Sequence, residues 1–205
     1  MTSRRLKLVL VLAGLVLAGA TLLAWTQPWF HLVVAGPQGG DLEVSADGDV
    51  AGGALAALAL ASLALVGALT IAGVVFRVVL GVLQLLLGGC VVVAAALALA
   101  DPVAASGSVV TTATGVDGTA SLDELVRAAT STAWPWVGLL AGVLTAVHGL
   151  LVALTARRWP AATRKYQAVR VAPTDPASDP AAAWDSLSGG DDPTAGQADA
   201  DGRSR

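Results

Sequence analysis

Along the chain, apolar residues gather into long blocks rather than the alternating or 3.6-residue stripes of half-buried soluble elements. One block runs from about Leu8 to Trp25, a second from about Ala51 to Ala100, and a third from Trp134 to about Ala156. About 20 apolar residues at ~1.5 Å each span a hydrocarbon core of ~30 Å, so the first and third blocks are each one crossing. The middle block would form a helix of ~75 Å, roughly twice a bilayer, and must fold back on itself. Arg77 is the expected turning point, because a guanidinium at the bilayer centre would cost several kcal/mol. The pattern therefore predicts an all-α membrane protein with four transmembrane helices over 8–25, 51–73, 78–100 and 134–156.

Two loops, 26–50 and 101–133, are long enough to build a small cap that includes short β-strands. Residues 30–50 read HLVVAGPQGGDLEVSADGDV, two short Val/Leu runs punctuated by Gly-Pro and Gly-Gly, and so predict a hairpin. In the second loop the β-branched run Ser108 to Thr114 predicts a third strand. Ser121 and Glu124 have the spacing of a capping box, predicting a short amphipathic helix with Leu122, Leu125, Val126 and Ala129 on one side.

Composition agrees with the block pattern. The 205 residues are 55% hydrophobic and 13% charged, with a mean hydropathy of +0.71 that excludes an ordinary soluble domain. The basic residues set the direction, since cytoplasmic flanks carry the excess of Lys and Arg. Arg4, Arg5 and Lys7 lie in the segment 1–7, Arg77 lies between the second and third helices, and Arg157 and Arg158 open the segment 157–205, whereas the other two loops hold only Arg127. The expectation is a multi-pass plasma membrane protein with both termini cytoplasmic. A signal-peptide reading, with cleavage near Ala18-Gly19-Ala20, is weaker because the apolar run continues to Trp25. Beyond about 171 the tail turns to Pro, Asp, Ala, Ser and Gly without apolar period, and is expected to be disordered, with Trp184 incidental.

Candidate chemistry is sparse. Two aromatic clusters, AWTQPWFH at 24–31 and Trp134-Pro135-Trp136, fall at the external helix ends. Interfacial tryptophan belts are common, but proline beside the rings stiffens them. Trp25, Gln27, Pro28, Trp29, His31, Trp134, Pro135 and Trp136 are therefore a candidate external aromatic site, against the simpler readings of a belt or of rings fastening the loops. Inside the membrane, Gln84 lies seven residues after Arg77 and His148 nine before Arg157, at similar depth. They are a candidate polar pair joining the third and fourth helices, where such bonds are worth about 1 kcal/mol. Gly138, Gly142, Ala146 and Gly149 line one side of the fourth helix and permit a close neighbour: the first helix, the third, or another copy of the chain. Cys90 has no partner for a disulfide or metal and is expected to be a small buried hydrophobe. No catalytic, metal-binding, cofactor or nucleic-acid motif is present in the sequence, so an enzyme is not expected.

Taken in order, the basic N-terminus, Gln27-Pro28-Trp29, Ser45-Ala46-x-Gly48 before an Ala-rich helix, Arg77, and the aromatic entry at Trp134 resemble the bacterial Trp biosynthesis-associated membrane proteins, also called the trp-operon region conserved membrane protein family. The resemblance covers about residues 5–160. It implies four spans and a link to tryptophan biosynthesis, and brings no catalytic or transport residues with it. The functional expectation is a non-enzymatic accessory or ligand-binding protein, with the bilayer, tryptophan-biosynthetic enzymes or a second copy as partners. The alternative is a small oligomeric transporter or exporter of tryptophan or a related aromatic compound.

Overall fold

The computed structural model describes residues 3–36, 39–158 and 188–189. Four apolar helices run side by side: α1 (Ser3–Trp25), α3 (Leu55–Ile71), α4 (Val74–Ala100) and α8 (Trp134–Thr155), the last continuing into a 3-10 turn at Ala156–Arg158. They close a ring in which α1 touches α3 and α8, and α4 touches α3 and α8, the α4–α8 contact being the most extensive. Buried positions on α4 are Arg77, Gly81, Gln84, Gly88, Val91, Ala95 and Ala98, an alternating four- and three-residue spacing. That 3.5-residue period keeps one stripe facing the neighbours along the whole helix.

The stripe facing inward is small or polar, while leucines and valines such as Leu12, Val16, Leu86, Leu97, Leu144 and Leu154 face outward. This is the arrangement expected where the surrounding solvent is hydrocarbon: burying leucine gains nothing there, and close backbone packing holds helices together. Three helical segments, Arg5–Trp25, Val74–Ala100 and Trp134–Thr155, are long and apolar enough to cross a membrane, whereas the apolar α3 has 17 residues.

The chain breaks between α3 and α4 at Ala72 and Gly73, both extended, rather than at Arg77. Gly73 ends the run four residues before the guanidinium, and the Arg77 N–H donates to its carbonyl. Arg77 is thus helical and buried, not a loop residue. Cys90 also departs from expectation: it is exposed, on the outward side of α4.

At one end of the ring sits a three-stranded antiparallel sheet, ordered β2-β1-β3, from β1 (Pro28–Ala35), β2 (Asp41–Asp47) and β3 (Val126–Ser131). Its remaining companions are the short helices α2 (Gly48–Ala51), α5 (Pro102–Ala105), α6 (Gly107–Thr114) and α7 (Thr119–Leu125). The hairpin and the count of strands match the sequence pattern, but the third strand does not. Gly107–Thr114 is helical, with the hydroxyls of Thr112 and Thr114 donating to the carbonyls four residues back and a left-handed Gly115 ending it. Those bonds satisfy β-branched residues inside a helix. Val126–Ser131 takes the strand place instead, where the open edge of β1 supplies backbone partners. The capping box is not formed either: α7 starts at Thr119, which puts Ser121 inside its first turn.

Phe30, Leu32, Val34 and Ala46 point from the sheet into a core shared with Leu55, Ala95, Ala98, Val110 and Leu122. Apart from 188–189, the segment beyond 171, with Trp184, lies outside the described residues, as does most of the basic stretch 157–170.

Candidate functional site

The aromatic residues of the two clusters separate into a buried anchor and exposed rings. A register shift in β1 between Pro28 and Phe30 turns Trp29 and Phe30 both inward, which a regular strand would forbid. Trp29 is fully buried and its indole N–H donates to the Ala24 carbonyl at 2.7 Å, across the corner from α1 into β1. Its ring lies over three glycines. A Cβ at Gly48 would come within 2.6 Å of its Nε1, one at Gly52 within 3.0 Å of Cη2, and one at Gly138 within 3.3 Å of Cζ2.

Hydrogen bonds tie the same corner to the start of α8. Thr132 donates its N–H to the Trp29 carbonyl and its hydroxyl to the Pro28 carbonyl, and in turn accepts from the Trp134 N–H. Gly48 donates to the Gln27 carbonyl. The three short motifs therefore meet around one ring: Gln27-Pro28-Trp29, Ser45-Ala46-x-Gly48 and the Trp134 entry.

Pro135 is buried, Trp25 and Trp134 are half-buried, and Trp136 is 58% exposed on the outward side of α8. Gln27 is half-buried and donates to the Thr26 hydroxyl. Trp29 fastens the cap to the bundle, and its ring is not available to line an external pocket.

His31 is brought somewhere else. It is exposed on the outer face of the sheet, paired with Ser45 on one side and Thr130 on the other. In the next row Val33 lies between Glu43 and Ala128. Together these residues line a groove of about 430 Å³. It offers an imidazole, two hydroxyls and one carboxylate, a set that hydrogen-bonds a small polar solute and provides a counter-charge for an ammonium group. At its margin Arg127 pairs with Asp41 at 2.7 Å. The sequence grouped His31 with the aromatic cluster, whereas the fold sets it beside Ser45, Glu43 and Thr130, which join it only through strand register. They come from two loops far apart in sequence.

The intramembrane candidates come level without bonding each other. A Cβ on Gly149 would lie 2.8 Å from the Gln84 carbonyl carbon, so His148 and Gln84 occupy facing turns of α8 and α4. Yet His148 Nε2 donates to the Leu10 carbonyl of α1 at 2.9 Å. Gly14 makes room for that reach, since a Cβ there would sit 3.0 Å from His148 Cε1. Nothing in the sequence around Gly14 signals this role. The small-residue side of α8 meets α4: Gly142 lies against Val91 and Val92, Ala146 against Gly88, and Gly149 against Gly81 and Leu85, while Gly138 receives Trp29. Among the described residues no group of three or more His, Cys, Asp or Glu is placed to hold a metal.

No curated protein and no solved structure matches the chain. A family model described as tryptophan-associated transmembrane protein does match, over residues 11–194, reaching further toward the C-terminus than the motifs themselves. With most of its length covered, including all four apolar helices from the middle of α1 onward, the chain belongs to the tryptophan-associated transmembrane protein family.

Proposed function

We propose that this protein is a four-span component of the plasma membrane, both termini cytoplasmic, that acts as a non-enzymatic accessory or ligand-binding protein in tryptophan metabolism. The groove around His31 is its external recognition surface. Membership of a tryptophan-associated family supports the metabolic link. The span count is supported by α3 running alongside α1: Gly48, which opens α2 ahead of α3, lies against the Ala24 and Trp25 carbonyls, and at the other end Lys7 Nζ donates to the Thr70 carbonyl at 2.7 Å. Seventeen residues make ~25 Å of helix, enough when the flanking turns lie in the interface. The distribution of Lys and Arg supports the direction.

The observation that carries the recognition reading is the groove itself, with His31, Glu43, Ser45 and Thr130 in its lining and strands whose corner is locked by Trp29 beneath it. A rigid support under a small cluster of exposed polar groups is what a binding site needs. Calorimetric titration of the purified protein with tryptophan and with indole is the test. Tryptophan, which carries an ammonium and a carboxylate, should bind while indole should not, and His31→Ala or Glu43→Ala should weaken binding about tenfold or more. No heat from either compound at millimolar concentration removes the tryptophan-binding reading. Topology is checked separately in a Cys90→Ser background. Impermeant thiol reagents applied to intact cells should label Gly118→Cys and miss Lys165→Cys; the reverse overturns the orientation.

A further inference from the structure

Among the described residues, the four-helix ring encloses a polar layer in which several hydrogen-bonding atoms have no protein partner. Gln84 is completely buried, and neither its Nε2 nor its Oε1 meets a partner. His148 is 3% exposed; with Nε2 donating to Leu10, its Nδ1 is a bare acceptor and also unmet. Thr145, one turn away on the same side of α8, is 2% exposed, and its hydroxyl has no partner, although threonines elsewhere in these helices bond back to carbonyls. Residues three apart on a helix lie on one side, so Thr145 and His148 face the same interior.

Apolar side chains close this layer off in both directions. Leu10, Leu69 and Val152 form a buried cluster on the side of Arg77. Toward the sheet, the stripe continues as Val91 and Ala95 and then the core under Trp29.

Each unmet polar atom in such a place carries a desolvation cost that a partner would remove. A charged solute does not suit the layer. The only ionisable residue among the described inward-facing positions near it, apart from His148, is Arg77, seven residues and two turns away on α4. An apolar solute would leave the polar atoms as they are. Gln84 and His148 lie on facing turns but are not bonded to each other, and a molecule bridging them would satisfy both. A small neutral molecule that both donates and accepts fits this chemistry.

We propose that Gln84, His148 and Thr145 form an internal water-binding site at mid-bundle, in which water donates to His148 Nδ1 and to the Gln84 carbonyl oxygen and accepts from Thr145 or the Gln84 amide. The site is independent of the external groove. Its role is to hold α8, α4 and α1 in one register through a shared hydrogen-bonded centre, with Gly14 admitting the imidazole.

The test uses the full chain in lipid bilayers with ¹⁵N-labelled histidine, followed by water-edited solid-state NMR. The protein has two histidines, and exposed His31 is the built-in positive control. Magnetisation from water should reach both rings, and Gln84→Leu should abolish the transfer to His148 alone. Transfer to His31 without transfer to His148 in the unaltered chain overturns the proposal, as does a direct His148–Gln84 contact in the same spectra. A second measurement has an opposite sign for a dry layer. Thr145→Val replaces the hydroxyl with a methyl of similar size: it lowers the unfolding midpoint if the hydroxyl holds water, and raises it if the hydroxyl is an unmet group in a dry interior. A raised midpoint overturns the proposal.

Discussion

Adjacent glycines on α4 should respond to the same substitution with opposite signs. At Gly88 an added Cβ would fall within 2.8 Å of both Ala146 Cα and the Gly142 carbonyl oxygen, and it would strike the Ala146 nitrogen as well. Ordinary carbon contacts lie near 3.5–4.0 Å, so α8 would have to retreat by about 1 Å. The atoms it strikes are main chain and have no rotamer into which to move. Overpacking of this sort costs about 1–3 kcal/mol, and this site belongs at the upper end. At Gly89, one residue along, nothing lies within 4 Å of the added carbon. There alanine only removes the glycine's excess backbone freedom, a gain of about 0.5–1 kcal/mol. The two variants should therefore differ by about 2–4 kcal/mol, or roughly 5–15 °C in midpoint for a chain of this length. Thermal unfolding in lipid–detergent micelles followed by circular dichroism measures this directly. If Gly88→Ala and Gly89→Ala track each other within about 0.5 kcal/mol, the α4–α8 interface is not the close backbone contact described, and the reading of the inward stripe fails with it.

Trp29→Ala should cost about 3–5 kcal/mol by removing a fully buried ring and its hydrogen bond to Ala24, while Trp136→Ala, exposed on α8, should stay within about 1 kcal/mol. Equal losses in chemical unfolding would contradict the division of the clusters into anchor and surface rings. Arg127→Ala breaks an ion pair whose side chains are 58% and 52% exposed. It should change stability by less than about 1 kcal/mol, and the change should shrink further in high salt. A large salt-insensitive loss would mean that the pair is far better shielded than its exposure indicates.

The apolar blocks, the hairpin at 30–50 and the membership of the family were legible in the sequence because each rests on local pattern: run length, glycine punctuation, the order of short motifs. The third strand was not. Ser108 to Thr114 has the residue types of a strand, and Val126 to Ser131 follows an apparent helical period, yet the two exchange roles once β1 offers an edge. Edge pairing is a nonlocal gain that outweighs intrinsic propensity, whose differences are small. The candidate sites divide in the same way. Gln27-Pro28-Trp29 stands out in the sequence, but only the bulge in β1 decides that Trp29 points into the bundle while His31 points away from it.

By itself the sequence determined how the chain is divided between lipid-facing helices and polar connections, since a run of apolar residues has a length and a bilayer has a thickness. It also determined that Gln84 and His148 lie at comparable depth, which follows from counting residues along helices. Tertiary structure alone decided their partners. Depth along an axis says nothing of rotation about it, and the rotation that seats Gly81, Gly88, Gly142 and Gly149 between α4 and α8 carries His148 past Gln84 to the Leu10 carbonyl of α1.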